Sequence, residues 1–119
     1  MSKPSVTIYH NPRCSKSRAT LQLLEDKQIE PEIIDYMKEP PDQQTLARLI
    51  DLLGVSVRDL LRTNEKVYKD AGLDDDDLPE TEIIEALSQC PTLLQRPIVV
   101  VDGQKAVIGR PPESVLSII

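Results

Sequence analysis

The stretch YHNPRCSKSR, Tyr9–Arg18, joins a strand pattern to a helix pattern through one cysteine. Upstream, SVTIYH is a β-rich run that fits a first strand; downstream, Ser15 to Gln28 fits a helix with Leu21 and Leu24 on one face, limited by Pro31. EIIDY is short and apolar enough for a second strand, after which Pro40 and Pro41 break the chain. Asp42 can cap a helix that carries Leu46, Leu49, Ile50 and Leu53 at helical spacing and stops at Gly54. Ser56 can cap a short helix, a further helical stretch reaches towards Ala71 and Gly72, and Thr81 opens a helix that ends before Pro91.

The end of the chain reads differently. In PIVVVDGQKAVIG two apolar runs flank Asp102 and Gly103, the pattern of a tight β-hairpin, and PPESVLSII closes as a helix. The order is strand–helix–strand, a helical block, a hairpin and a last helix. It predicts an α/β, thioredoxin-like fold with an inserted helical segment.

Composition sets the frame. A chain of 119 residues suits a single domain, residues 1–119, that buries roughly two thirds of the surface of its unfolded chain without disulfide staples. Two cysteines, Cys14 and Cys90, do not suggest a secreted disulfide scaffold, and MSKPSVTIYHNP lacks the apolar run of a signal peptide, so a cytoplasmic, reducing location is expected. No apolar run approaches the about 20 residues that span a bilayer. With 20 Asp and Glu against 14 Lys and Arg the net charge is -6, which disfavours nucleic acid as a partner; any anion site must be local. The acidic run Asp74–Asp77 reads as a solvated loop.

A cysteine at the first turn of a helix faces unpaired backbone N–H groups and the positive end of the helix dipole. An ordinary thiol of pKa about 8.5 is only about 3% thiolate at neutral pH, and this environment raises that fraction. His10, if protonated, would add a cation, with weaker support from Arg13 and Lys16. Ser15 and Ser17 bring hydroxyls that, with the helix amides, can hold the oxygens of a tetrahedral anion beside sulfur. The alternative is a buried, inert cysteine. Ser17 stands where a thioredoxin-type CxxC pair would place its second cysteine, and Ala19 and Thr20 break the pattern of a low-molecular-weight phosphatase loop. Cys90 follows Ile83 and Leu87 at helical spacing, which predicts a core-facing residue rather than a resolving thiol. A site with one nucleophile regenerates through an external thiol, glutathione or a protein reductant.

These residues resemble the glutaredoxin-coupled arsenate reductases, the ArsC family, which also contains Spx-type regulators. YHNPRCSKSR is similar to the family's nucleophile loop, PPDQQTLARLIDLLGVSVRDLLRTNE to its helical insertion, and LLQRPIVVVDGQKAVIGRPPESVL to its closing hairpin and helix. The resemblance implies that Cys14 is the nucleophile, that His10 helps to lower its pKa, and that Arg62, Arg96 and Arg110 hold the oxyanion. It also implies a cis Arg96–Pro97 bond. The implied activity is reduction of arsenate to arsenite, with glutathione as co-substrate, glutaredoxin as partner, and no metal or bound organic cofactor.

Read without the resemblance, Arg62 shares a helix face with Arg58 and belongs to a solvated basic surface, and Arg96 is a surface residue entering a strand. Arg110 lies at a helix start, where the dipole does not favour a cation, which points to a ligand role. Lys16 departs from the small or uncharged residues that the better-known arsenate reductases carry between the cysteine and the following serine, and with Arg13 before the cysteine it adds positive charge at the loop. Two other functions remain open from sequence: a glutathione-linked thiol oxidoreductase with another substrate, and an Spx-like regulator that binds a protein partner.

Overall fold

A computed structural model describes residues 5–95 and 97–119. Its organising element is β1 (Val6–His10), along which Val6, Ile8 and His10 are buried while Thr7 and Tyr9 are half-buried. That alternation is the period of a pleated strand. β1 pairs on both sides: in parallel with β2 (Glu32–Asp35), His10 opposite Asp35, and antiparallel with β3 (Ile98–Val101), Tyr9 opposite Ile98. β4 (Lys105–Ile108) completes a four-stranded sheet in the order β2-β1-β3-β4.

The expected hairpin forms between β3 and β4. Asp102 and Gly103 both take positive φ, 55° and 65°, and the Gln104 N–H donates to the Val101 carbonyl at 3.1 Å. Two successive left-handed residues match the twist of the strands they join.

α1 (Ser15–Asp26) supplies the connection that the parallel β1–β2 pair requires, and it buries Ser17, Thr20 and Leu24. Leu24 meets Val6, Ile8, Val99, Val101 and Val115 in one apolar cluster. The helix stops short of the expected Gln28 because that residue is left-handed, φ 61°, and the Ile29 N–H turns back to the Leu24 carbonyl at 3.0 Å. The last segment is a 3₁₀ helix, Pro112–Ser117, rather than an ordinary α-helix. Its prolines donate no N–H, and bonds such as Ser114 N–H to the Pro111 carbonyl close the shorter i to i+3 ring. Val115 is thereby fully buried in the cluster.

By contacts the chain divides into two compact units, the inserted one being Pro40–Gln95. Within it, Asp42 caps α2 (Gln43–Leu53) by accepting from the Thr45 N–H at 2.8 Å, and Gly54 ends the helix at φ 67°. Ser56 and Asp59 form a reciprocal capping box on the 3₁₀ turn Val57–Leu60. A short α3 (Lys66–Asp70) follows, then α4 (Glu80–Gln89), which packs on α2, and the 3₁₀ turn Pro91–Leu93. Leu46, Leu60, Ile83, Leu87 and Leu93 are fully buried. Cys90 departs from expectation. α4 ends at Gln89, so Cys90 is its C-cap at φ -127° and is half-buried instead of facing the core. Pro91 disfavours helical geometry in the residue before it, which ends α4 ahead of Cys90.

The described residues up to Glu39 and from Pro97 onwards form the other unit, which holds the sheet and α1. Gly109 lets the chain leave β4 close against both. A Cβ on it would lie 2.6 Å from Thr20 Oγ1 and 2.9 Å from Pro97 Cγ. Thr20 cannot easily yield, since its hydroxyl donates to the Lys16 carbonyl at 2.9 Å. Gly109→Ala should therefore lower the unfolding free energy by about 1–3 kcal/mol. Urea titration followed by circular dichroism measures this, and an unchanged midpoint would contradict the close approach.

Candidate functional site at the start of α1

The turn between β1 and α1 is built before any ligand is considered. The Asn11 carbonyl accepts from the Cys14 N–H at 3.0 Å, and the Asn11 side chain accepts from the Arg13 N–H at 3.0 Å. Pro12 occupies the position where its fixed φ suits such a turn. Asn-Pro at 11–12 is thus a turn signal that the helix and strand patterns overlook. Arg18 ties the loop to the helix by donating from Nη1 to the Pro12 carbonyl at 3.1 Å.

The result is that Cys14 becomes the N-cap of α1, extended at φ -96° and ψ 124°, with no side-chain capping bond of its own. It is half-buried. The helix N–H groups after it have no carbonyl within the helix to bond, the first return bond being Arg18 N–H to the Cys14 carbonyl at 3.0 Å. No acidic residue stands in the first turn, while Arg13, Lys16 and Arg18 are exposed around it. An exposed Ser15 occupies the first helical position. The arrangement fits the sequence expectation of a sulfur beside a helix N-terminus that favours negative charge.

His10 and Ser17 are placed differently from expectation. Ser17 is fully buried, the first residue of the inward stripe that continues through Thr20 and Leu24. Its hydroxyl lies 2.6 Å from His10 Nδ1 and accepts from the Asn11 N–H at 3.0 Å. It faces the histidine instead of the solvent, away from the position at the solvent-facing helix start expected for an oxyanion contact. His10 is the last inward residue of β1 and is 6% exposed. Burial pushes its pKa below the ordinary value of 6.5, Asp35 works in the opposite direction, and Arg18 adds to the lowering. The net effect of burial and these charges favours the neutral ring over the imidazolium.

The arginines divide between the units. Arg110 is exposed and follows Gly109 out of β4. Because Tyr9 pairs with Ile98 and Ile98 with Ile108, Arg110 leaves the sheet at the end from which the Cys14 turn emerges. The bond that follows it, Arg110–Pro111, is cis. Arg96 lies outside the described residues, and with it the expected cis bond to Pro97. In the inserted unit Arg62 is past the 3₁₀ turn, with a side chain 17% exposed whose Nη1 pairs with Glu65 Oε1 at 2.8 Å. Its backbone N–H donates to the Leu93 carbonyl at 2.7 Å. Arg62 thus shares no helical face with Arg58, which instead donates to the carbonyls of Leu73, at 3.0 Å, and Asp75 beneath the exposed acidic run. Helical extrapolation across residues 58–62 failed because the turn ends at Leu60.

The lowered pKa of His10 carries a sign for stability. The unfolded chain takes up a proton on this ring as pH falls through about 6.5, while the folded chain resists it to lower pH. Stability from this residue is complete above about 6.5 and is lost progressively below it. Chemical denaturation between pH 7.5 and 5 should show a smaller decline for His10→Gln than for the parent protein. An equal or steeper decline in the variant would contradict the assignment.

Comparison with known proteins agrees with the architecture. The structure of an arsenate reductase from Vibrio cholerae superposes with a TM-score of 0.96 at 45% identity, covering 99% of this chain and 100% of that one. A protein named arsenate reductase from Haemophilus influenzae is 47% identical over 97% of this chain and 99% of its own length. The uncharacterized protein YfgD of Escherichia coli K12 is 51% identical over 96% of each chain. The model of the ArsC family matches residues 9–118, from the strand that precedes the cysteine turn to the closing 3₁₀ helix. With the thioredoxin-like sheet and its helical insertion, this chain belongs to the ArsC family.

Proposed function

We propose that the protein reduces arsenate to arsenite with Cys14 as its single nucleophile, in a reducing, cytoplasmic setting where glutathione and glutaredoxin supply the electrons. The observation that carries this reading is the position of Cys14 as N-cap of α1, with positive charge around it and no acidic residue in the first turn. The names of the relatives from Vibrio cholerae and Haemophilus influenzae support arsenate as the substrate. Membership of the ArsC family supports the reaction class.

In this mechanism the Cys14 thiolate attacks arsenic, a sulfur–arsenic bond forms, and one arsenate oxygen leaves as water after protonation. Helix amides and the guanidinium groups of Arg96 and Arg110 neutralise the oxyanion, and Ser15 offers a hydroxyl at the first helical position. A glutathione thiolate then attacks the Cys14 sulfur. The electron pair of the sulfur–arsenic bond stays on arsenic, giving arsenite, and Cys14 is left in a mixed disulfide with glutathione. Glutaredoxin attacks the glutathione sulfur and releases the Cys14 thiolate. Ser17 in place of a second cysteine supports an external reductant, because no thiol in the loop is available to displace glutathione. No metal and no resident cofactor enter these steps.

The test is arsenate-dependent NADPH oxidation in an assay coupled through glutathione, glutathione reductase and glutaredoxin. Cys14→Ser should reduce turnover to background, and Cys90→Ser should retain parental turnover. Loss of activity with Cys90 instead would show a second essential thiol and overturn the single-nucleophile mechanism. No arsenate-dependent turnover in the parent protein, with the reductants verified, would overturn the substrate.

A further inference from the structure

The buried triangle of His10, Asn11 and Ser17 goes beyond the reaction as just derived. Ser17 Oγ has one proton to give and two lone pairs to receive with. One lone pair takes the Asn11 N–H at 3.0 Å, and the remaining contact is His10 Nδ1 at 2.6 Å. Ser17 is fully buried, so its proton has no water to turn to. Among the described residues no other acceptor reaches that hydroxyl, whereas a bare Nδ1 accepts it directly. A proton on Nδ1 would reverse this bond and leave the serine hydrogen without an acceptor.

We infer that Ser17 is a positioning residue that holds His10, at the end of β1 before the Cys14 turn, as the neutral tautomer with its proton on Nε2 and not as a cation. The inference rests on the reading of Cys14 as nucleophile for its functional meaning, but not for its geometry. It gives the position three residues after the cysteine a purpose other than a missing second thiol. It also joins the nucleophile turn to the sheet: the hydroxyl that fixes the ring takes the N–H of Asn11, whose carbonyl and side chain shape the turn before Cys14. Among the described residues the charged groups that act on the ring are Asp35 from β2 and Arg18 from α1, in opposite directions. The hydroxyl therefore decides which nitrogen carries the proton, while burial and these two charges govern whether a second proton is accepted.

His10 is the single histidine of the chain, so the test needs no assignment. Nitrogen NMR of protein labelled with ¹⁵N-histidine, at pH 7.5 and in the absence of arsenate, should show an unprotonated Nδ1 and a protonated Nε2. Ser17→Ala should give a mixture of tautomers and raise the ring's proton affinity about threefold or more, since a bond that favours the neutral ring is gone. Ser17→Thr, which keeps the hydroxyl, should restore the parental spectrum. A parent spectrum with the proton on Nδ1, or with averaged tautomers, would overturn the inference. So would a Ser17→Ala spectrum identical to the parent's. None of these readouts depends on arsenate turnover, so failure of the proposed substrate leaves the tautomer result standing.

Discussion

The rest of the site depends on the meeting of two periodicities at one end of the sheet. β1 turns every second side chain inward, and the last of that row is His10. α1 turns a stripe inward at helical spacing, and the first of that row is Ser17. The four residues between β1 and α1 must close the gap so that these two meet at hydrogen-bonding distance. Asn11 and Pro12 make that possible by folding a tight turn, and the cysteine at its end becomes the helix cap. The apolar cluster of Val6, Ile8, Leu24 and Val115 fixes the spacing between strand and helix that the polar contact needs.

This coupling changes the meaning of the polar residues near the sulfur. Surrounding charge and hydroxyls look from the sequence like one undifferentiated oxyanion pocket. In the folded chain they separate into layers. Lys16, Arg13 and Ser15 are outside with solvent, Cys14 stands at the boundary, and His10 and Ser17 lie within, engaged with each other. The inner pair is closed off from solvent, and the outer residues carry the positive charge.

Arg62 shows a related principle in the inserted unit. A guanidinium that is four-fifths buried needs a compensating carboxylate, and Glu65, one turn further on, provides it. Arg58 is satisfied by two backbone carbonyls of the acidic loop instead. Two arginines four positions apart in sequence thus have different partners, because the 3₁₀ turn between them ends at Leu60 and redirects the chain.

The sequence by itself determined the order of elements, the Asp102–Gly103 hairpin, the caps at Asp42, Gly54 and Ser56, and the placing of Cys14 at a helix start. Each of these follows from neighbours within a few residues, where backbone preference and side-chain period act directly. The helix end at Gln28, the half-buried position of Cys90 and the 3₁₀ form of Pro112–Ser117 are near misses at boundaries, where a left-handed residue or a following proline overrides the period. Spacing back from Leu24 would have marked Ser17 as inward, but not what it would touch. Only the tertiary structure decided that His10 is buried against Ser17, and that Arg62 answers to Glu65. The protonation of a histidine depends on what lies above its ring and how much water reaches it, and those are set by parts of the chain that meet only after folding.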